Sequence, residues 1–417
     1  MHPRILTGSI LLLLLPIALC AEPMEPVQIV GTGKAQGMPF IRNWILIEPS
    51  IDGVIVPTRE SGSVGARDIE RLMRIYFPRT FEDLISYDFL FLAQVDMAFI
   101  SPKRQQWMYD AIAEHGLGGV NTRSVMSMQT WWSTPWAESV LSDAFPNEAM
   151  AVIRSSIYGV SITWPSGPLV VEDDETLAPV ARPFKDRLED LFPGYGGLPT
   201  IPRPGSKVHT WIRSGIRDLS SPRPGYTAHI FEWQYNDAVT FTFMDMVYDN
   251  FWRSNINPFS LDIITNVMWR GAHRELPEDG LKVHVLRDRL AYYQQEKTAV
   301  ISVFDFAETF GANTVDLYRE LEDLDEEKRL ADDLYLSAEF DEAYQQMEIV
   351  IDELNKLSDN ALKLKDQALL WVYVIEYLAV AGTSMVCGGV LWFLMIKRSL
   401  YREAGVTRRQ SMRHEDY

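Results

Sequence analysis

The feature that most constrains this chain is a run of 20 apolar and small residues, Tyr377 to Ile396. At about 1.5 Å per residue a helix of that length crosses a hydrocarbon core of about 30 Å. A single transmembrane helix is therefore expected over residues 369–396. Lys397, Arg398, Arg402, Arg408, Arg409 and Arg413 follow directly, and such a basic cluster at a membrane end marks the cytoplasmic side. The tail 397–417 is expected there. At the other end, residues 1–21 carry Arg4, an apolar run from Ile10 to Leu19, and small residues at Ala18 and Ala21, the pattern of a secretory signal peptide. Cys20 raises lipid attachment, but Leu19 before it is bulky where such sites want a small residue. Cleavage after Cys20 and after Ala21 both remain open. The two ends agree on one crossing of the cell membrane with an extracytoplasmic N-terminal domain. No Asn-x-Ser/Thr sequon occurs, which favours a bacterial or archaeal envelope.

Between the two ends the composition is that of a globular protein, with 47% apolar and 23% charged residues. The net charge of −18 would repel a phosphate backbone, so nucleic acid is not an expected partner. The two cysteines, Cys20 and Cys387, fall in the two hydrophobic segments. No disulfide, thiol nucleophile or cysteine metal site is left for the rest. Seven histidines (His2, His115, His209, His229, His273, His284 and His414) are scattered without ligand spacing, so no metal site is expected. No cofactor is expected either. Gly31, Gly33 and Gly37 form a loose cluster, read as lacking the strand and helix that a phosphate-cradling loop needs. Glu172, Asp173, Asp174 and Glu175 read as a solvated loop.

Residues 315–360 hold 16 acidic and 4 basic side chains. Leu317, Leu321 and Leu324, then Ala343, Met347, Val350, Leu354 and Leu357, fall at the 3/4 spacing of amphipathic helices. Two helices are expected, with a break near Ser337 to Asp341. Ala331, Tyr335, Ala338, Phe340 and Ala343 make the stretch look like one tetratricopeptide-type hairpin, and a lone repeat cannot bury its own face. Residues 311–368 therefore read as an acidic helical stalk that needs another surface.

Residues 22–310 read as alternating strand and helix. Short β-type runs are Trp44 to Ile47 and Val54 to Val56, and Ala66 to Tyr76 has helical spacing. Tyr87 to Leu92 is a continuous apolar run of the kind buried in a parallel sheet. Ser101-Pro102 opens a helix that Gly116 closes, Gly118 to Val120 enters another strand, and Thr134-Pro135 starts a further helix. Phe231 to Met246 reads as a hairpin and Ile263 to Gly271 as a closing helix. The expected fold is α/β, a parallel-sheet sandwich, followed by the helical hairpin stalk and one transmembrane helix.

Several of these pieces together carry a family resemblance. Tyr87-Asp88 through Asp96, the Ser-Pro-capped helix, the glycine-rich strand entry and Trp132-Ser133-Thr134-Pro135 resemble the class I glutamine amidotransferase-like domains of flavodoxin-like fold, in their uncharacterised branch. Phe231-Glu232-Trp233-Gln234-Tyr235, Phe251-Trp252 and Met268-Trp269-Arg270-Gly271 fit as well, so that the resemblance covers residues 40–275. It implies a flavodoxin-like sheet. It does not bring the family's chemistry, which needs a cysteine on a tight turn and a histidine base. The matching stretch, Val120 to Met128, has no cysteine and no Gly-x-x-x-Gly elbow around Ser124 or Ser127. The later matching region holds Tyr235 and Asp237 in place of a His-x-Glu pair.

No catalytic residue is assigned. Asp96 follows a buried strand, and Gln129, Trp131 and Trp132 lie after the next, where open α/β sheets bind ligands. Trp faces stack on sugar or peptide groups, so these four are candidates for a small polar or glycan ligand. In the apolar helix Ala381, Ser384 and Gly388 are small packing positions, and Ser384-x-x-x-Gly388 has the small-xxx-small spacing that permits close helix contact. A membrane protein partner or a second copy is expected there. Two functions follow: a membrane-anchored, non-catalytic scaffold or binding subunit (a pseudoenzyme), and an envelope hydrolase or amidotransferase with an unrecognised nucleophile.

Overall fold

The structure is a computed structural model that describes residues 24–413, apart from 36, 60–64, 123–135, 137–138, 148–166, 190, 194–200, 214–221 and 248. The signal-peptide reading at 1–21, the serines at 124 and 127 and the helix start at 134–135 lie outside the described residues.

Eight strands form one sheet in the order β2-β1-β3-β4-β8-β7-β6-β5. They are β1 (Val27–Lys34), β2 (Ile51–Arg59), β3 (Phe89–Ala93), β4 (Gly118–Thr122), β5 (Leu169–Val171), β6 (Lys207–Ile212), β7 (Thr227–Tyr235) and β8 (Ala238–Phe243). The first five in spatial order run parallel. The rest do not: β8, β7, β6 and β5 pair antiparallel. The expectation of a parallel sheet thus holds for one half only. A two-residue turn at Asn236 and Asp237, with Asn236 in the left-handed region at φ 52°, sends β8 back along β7, and a hairpin of that length admits only antiparallel pairing.

The helices of this part are α1 (Met38–Ile47), α2 (Ala66–Ile75), α3 (Phe81–Ile85), α4 (Pro102–His115), the short α5 (Lys185–Leu188) and α6 (Ser260–Gly271). On one face of the sheet Val30, Leu90 and Leu92 pack with Ile69 and Met73 of α2 and Met108, Ala111 and Ile112 of α4. Burial of such side chains stabilises by about 1.5–3 kcal/mol each. α4 starts and stops as its sequence dictates, with the Ser101 hydroxyl accepting from the Arg104 amide and Gly116 closing it at φ 72°. α6 comes so close to β4 that a Cβ on Gly118 would stand 2.3 Å from the Gly271 carbonyl oxygen.

Two expectations for the N-terminal part are overturned. Trp44 to Ile47 is the end of α1, not a strand, because Ile41, Trp44 and Ile47 share the buried face of a helix. An apolar run of four does not distinguish the two periods. The glycine cluster also lacks neither strand nor helix. Gly31 and Gly33 lie in β1, and Gly37 is the N-cap of α1. At Gly33 the backbones of β1 and β3 approach so closely that a Cβ would sit 1.9 Å from the Ala93 oxygen.

Three long helices follow: α7 (Gly280–Thr309), α8 (Val315–Leu336) and α9 (Phe340–Arg413). The break between α8 and α9 falls where expected, with Ala338 at φ 60°. The chain divides into two compact units, residues 1–294 with 328–348, and residues 295–327 with 349–417. In the first, Ala331, Tyr335, Ala343 and Met347 are buried. In the second, Leu321, Leu324, Val350 and Leu354 are buried, and the stretch from α7 supplies the surface that the hairpin lacked. Phe304 meets Tyr318 edge-on with ring centroids 4.9 Å apart, Lys297 pairs with Asp325 at 2.6 Å, and Ser358 donates to Glu296 at 3.0 Å. From Leu370 to Ile396 the large apolar side chains of α9 are exposed, and one stretch of the helix is long and apolar enough to cross a membrane.

Candidate functional site

Because β2, β1, β3, β4 and β8 run parallel, their carboxyl ends lie along one edge of the sheet. The chain leaves β1 for β2 on one side and takes up β3 on the other, so β1/β3 is a topological switch point. Open α/β sheets hold ligands in the crevice outside such a point, where the diverging loops leave room. The register sets the polar residues side by side. Thr32, Leu92, Asn121 and Thr242 are successive partners across β1, β3, β4 and β8, and Gly33, Ala93, Thr122 and Phe243 form the next row.

The side chains at this edge are buried and unpaired. Thr32, Thr58, Asn121 and Thr122 are at most 1% exposed, and Gln94, the first residue past β3, is 5% exposed. Among the described residues, Thr32 Oγ1, Thr58 Oγ1, Asn121 Nδ2, Thr122 Oγ1 and both amide atoms of Gln94 have no hydrogen-bond partner. Gln94 also holds a left-handed backbone at φ 53°, uncommon for a side chain of its size. A buried polar group without a partner costs about 1–3 kcal/mol. Six such atoms lie at the carboxyl ends of four adjacent strands. The atoms are hydroxyls and amides, so they offer both donors and acceptors and no charge.

The loops around this edge are held from behind. Gln105 of α4 donates to the carbonyls of Met97 at 3.3 Å and Ile100 at 2.7 Å, and accepts from the Ser139 hydroxyl at 2.9 Å. Asp96, one of the four expected ligand residues, is the N-cap of the 3-10 turn Met97–Phe99, its Oδ1 accepting from the Ala98 amide at 3.0 Å. Its position past β3 is as expected, and one of its oxygens is used in the cap. Gln129, Trp131 and Trp132 lie outside the described residues. The loop after β8 comes beside the start of α1, where a Cβ on Gly37 would contact Val247 at 3.5 Å.

Further along the same edge, Asp245 follows β8 and accepts from His229 Nε2, while His229 Nδ1 lies 2.8 Å from Thr210 Oγ1. An ionised carboxylate only accepts, so Nε2 carries the proton and Thr210 donates to Nδ1. Hydroxyl, imidazole and carboxylate thus stand in line, but all three residues are fully buried, and Thr210 Oγ1 also accepts from the Ile230 amide at 3.2 Å. The line ties β6, β7 and the loop after β8 together. His209 has its own partner, Glu232 at 3.3 Å. Burial raises the Glu232 carboxyl, and His209 and Arg270 outweigh that and hold it below its ordinary value. The two histidines are core residues.

A larger recess of about 600 Å³ lies beside β6 and is lined by Glu172, Arg203, Lys207, Trp211 and Arg223 among others. Its polar groups are already engaged with one another. Glu172 accepts from Trp211 Nε1 at 2.9 Å and from Arg223 at 3.2 Å, and Arg203 donates to the carbonyls of Asn147 and Ser142. Asp173 pairs with Lys185 and Asp174 caps Thr176, so the acidic loop has local partners. Size favours this recess, and unmet hydrogen bonding favours the carboxyl edge. No cluster of metal-ligating side chains occurs among the described residues.

What sequence reasoning missed at this edge is Thr32, Thr58, Gln94, Asn121 and Thr122. Polar residues at the ends of apolar strands were the available signal, and it is weak because strands commonly end in polar turns.

No protein-family model matches the chain, and no curated protein sequence matches it. Among solved structures, the cytoplasmic protein STM3548 from Salmonella typhimurium aligns at a TM-score of 0.40 and 12% identity, over 58% of this chain and 98% of that one. The cytoplasmic protein STM1381 from Salmonella typhimurium LT2 aligns at 0.42 and 14%, over 58% and 99%. Similarity at this level bears on no functional reading.

Proposed function

We propose that the chain is a membrane-anchored, non-catalytic binding module. Its α/β part takes a small, uncharged polar ligand at the carboxyl edge of the parallel strands, and the apolar stretch of α9 holds it in the membrane. The observation that carries this reading is the set of six unpaired, buried hydroxyl and amide atoms on Thr32, Thr58, Gln94, Asn121 and Thr122. The spatial order β2-β1-β3-β4 supports a flavodoxin-like arrangement of the parallel half. Among the described residues the one cysteine is Cys387, exposed on α9, which gives the amidotransferase-like resemblance no thiol at the sheet edge. The exposed apolar surface from Leu370 to Ile396 supports lipid contact, and open space over Gly388 supports close approach of a second helix.

The test is a ligand screen on the full-length protein in detergent, read as thermal stabilisation, with neutral saccharides, amides and small peptides. A ligand at a hundred times its dissociation constant stabilises by about 2.7 kcal/mol. Asn121→Leu, which removes an unpaired amide and fills its space, is expected to abolish that shift without unfolding the protein. Turnover of any bound compound, or equal stabilisation of wild type and Asn121→Leu, would overturn the reading.

A further inference from the structure

A second cleft, of about 100 Å³, opens among α1, the 252–260 segment, α6 and α7, within the first compact unit. At about 10–15 Å³ for each water centre, that is room for several waters or one small molecule. It contains none of the carboxyl-edge side chains.

Two donors on its walls are buried and, among the described residues, without a partner. Arg287 is 1% exposed, and its Nη2 has no hydrogen bond. Trp252 is 2% exposed, and its Nε1 has none. Both residues line the cleft. A third polar group stands with them. His284, a further lining residue, places its Nδ1 2.7 Å from Asp262 Oδ2. That leaves Nε2 as the ring's other hydrogen-bonding atom. The ring is fixed by packing, with Phe259 at 4.4 Å and Phe184 at 6.2 Å between centroids. A hydroxyl both accepts and donates, so it can meet the two donors and the imidazole together.

Charge narrows the ligand further. Arg287 already faces two carboxylates, Glu48 at 2.7 Å and Asp262 at 3.2 Å, and Asp288 adds another at the mouth. A further anion would enter beside three carboxylates with one guanidinium between them, so a carboxylate or phosphate ligand is disfavoured. Trp44 and Trp252, with ring centroids 5.7 Å apart, give an apolar wall for C–H faces. We infer that this cleft is a second ligand site, for a small uncharged polyol such as a four- or five-carbon sugar alcohol or a compact sugar.

The probes are erythritol and xylitol, with sodium acetate as the anion control, titrated into the full-length protein in detergent with its tryptophans labelled on the indole nitrogen. Nε1–H resonances are followed, and Trp252→Phe assigns the one that matters. The expected result is a saturable shift of the Trp252 signal with a polyol and none with acetate. The shift should vanish in His284→Phe, which keeps an aromatic ring but removes both ring nitrogens. If that variant does not fold, Asn43→Trp closes the mouth from the exposed side of α1 and should also remove the shift. Asn121→Leu should leave it intact, so failure of this site and failure of the carboxyl-edge reading are separable. A cleft that holds only water would show no saturable shift with either polyol, and an anion site would respond to acetate; both results overturn the inference.

Discussion

Replacing Arg287 by methionine probes the most heavily connected polar group in the first unit. Arg287 Nε donates to Glu48 Oε2 at 2.7 Å and to the Tyr335 hydroxyl at 3.0 Å, and Nη1 donates to Asp262 Oδ1 at 3.2 Å. Its guanidinium carbon lies 5.4 Å from the centre of the Trp269 ring. Glu48 is tied in turn to the Ser50 amide and hydroxyl, and Ser50 Oγ accepts from Trp269 Nε1 at 2.8 Å. Burial works against the guanidinium's charge, but Tyr335, Glu48 and Asp262 more than offset it and push its pKa above the ordinary value. Burial, the larger influence, likewise keeps the Tyr335 hydroxyl protonated. One side chain thus joins the end of α1, α6, α7 and α8.

Arg287→Met keeps the volume and removes the cation, stranding two carboxylates that are at most 1% exposed. Breaking a buried pair in this way costs about 3–5 kcal/mol. For a unit of this size each kcal/mol lowers the melting temperature by about 2–4 °C, so a fall of about 10 °C is expected. The pH dependence has a definite sign. In the variant the two carboxylates stay buried without the guanidinium, and protonation removes the charge whose burial is penalised. The penalty is full at neutral pH and shrinks as acid protonates the carboxyls, so the gap to wild type narrows on acidification. Replacing the set together, Glu48→Gln with Asp262→Asn and Arg287→Met, should recover most of the loss. Thermal melts of full-length protein across pH provide the assay. A variant within about 1 kcal/mol of wild type, or a gap that widens with acid, would refute the reasoning.

Three other outcomes follow from single positions. Glu232 has its folded pKa held down, so it contributes stability above the unfolded pKa that is lost as pH falls through the folded value; melts of Glu232→Gln should lie below wild type at neutral pH and converge with it in acid. Gly33→Ala places a methyl 1.9 Å from the Ala93 oxygen and should cost at least about 3 kcal/mol, measured by denaturant unfolding, with loss of soluble expression as the extreme. Gly388→Leu fills open space on α9 and should weaken assembly in mild detergent without changing the melt of the α/β part, as crosslinking and calorimetry would report.

How much was legible in the sequence depended on how local the determinant was. α4 could be read end to end because Ser101, Pro102 and Gly116 act on their own backbone, and β3 because the apolar run Phe89–Ala93 has the length of a strand and is too short for a helix. The break at Ala338 was legible for the same reason. In the antiparallel half the hairpin of β7 and β8 was legible, but the addition of β6 and β5 was not, since they join it through pairings far apart in sequence. The role of α7 in the second unit was hidden because its apolar residues face several neighbours and show no single stripe. The place of Asp96 past β3 was legible in the sequence, and there the structure uses it to cap a 3-10 turn. Gln94, Asn121 and the three threonines were not, because nothing in their own neighbourhood shows that their side chains end without partners.

The most direct measurement of the central claim is an electron-density map of the carboxyl edge, from protein purified out of native membranes. Density from a bound non-protein group is expected within hydrogen-bonding distance of the Gln94 amide and Asn121 Nδ2, beside Thr32. A map in which those same atoms are paired with the chain's own groups, with no room left between them, would contradict it.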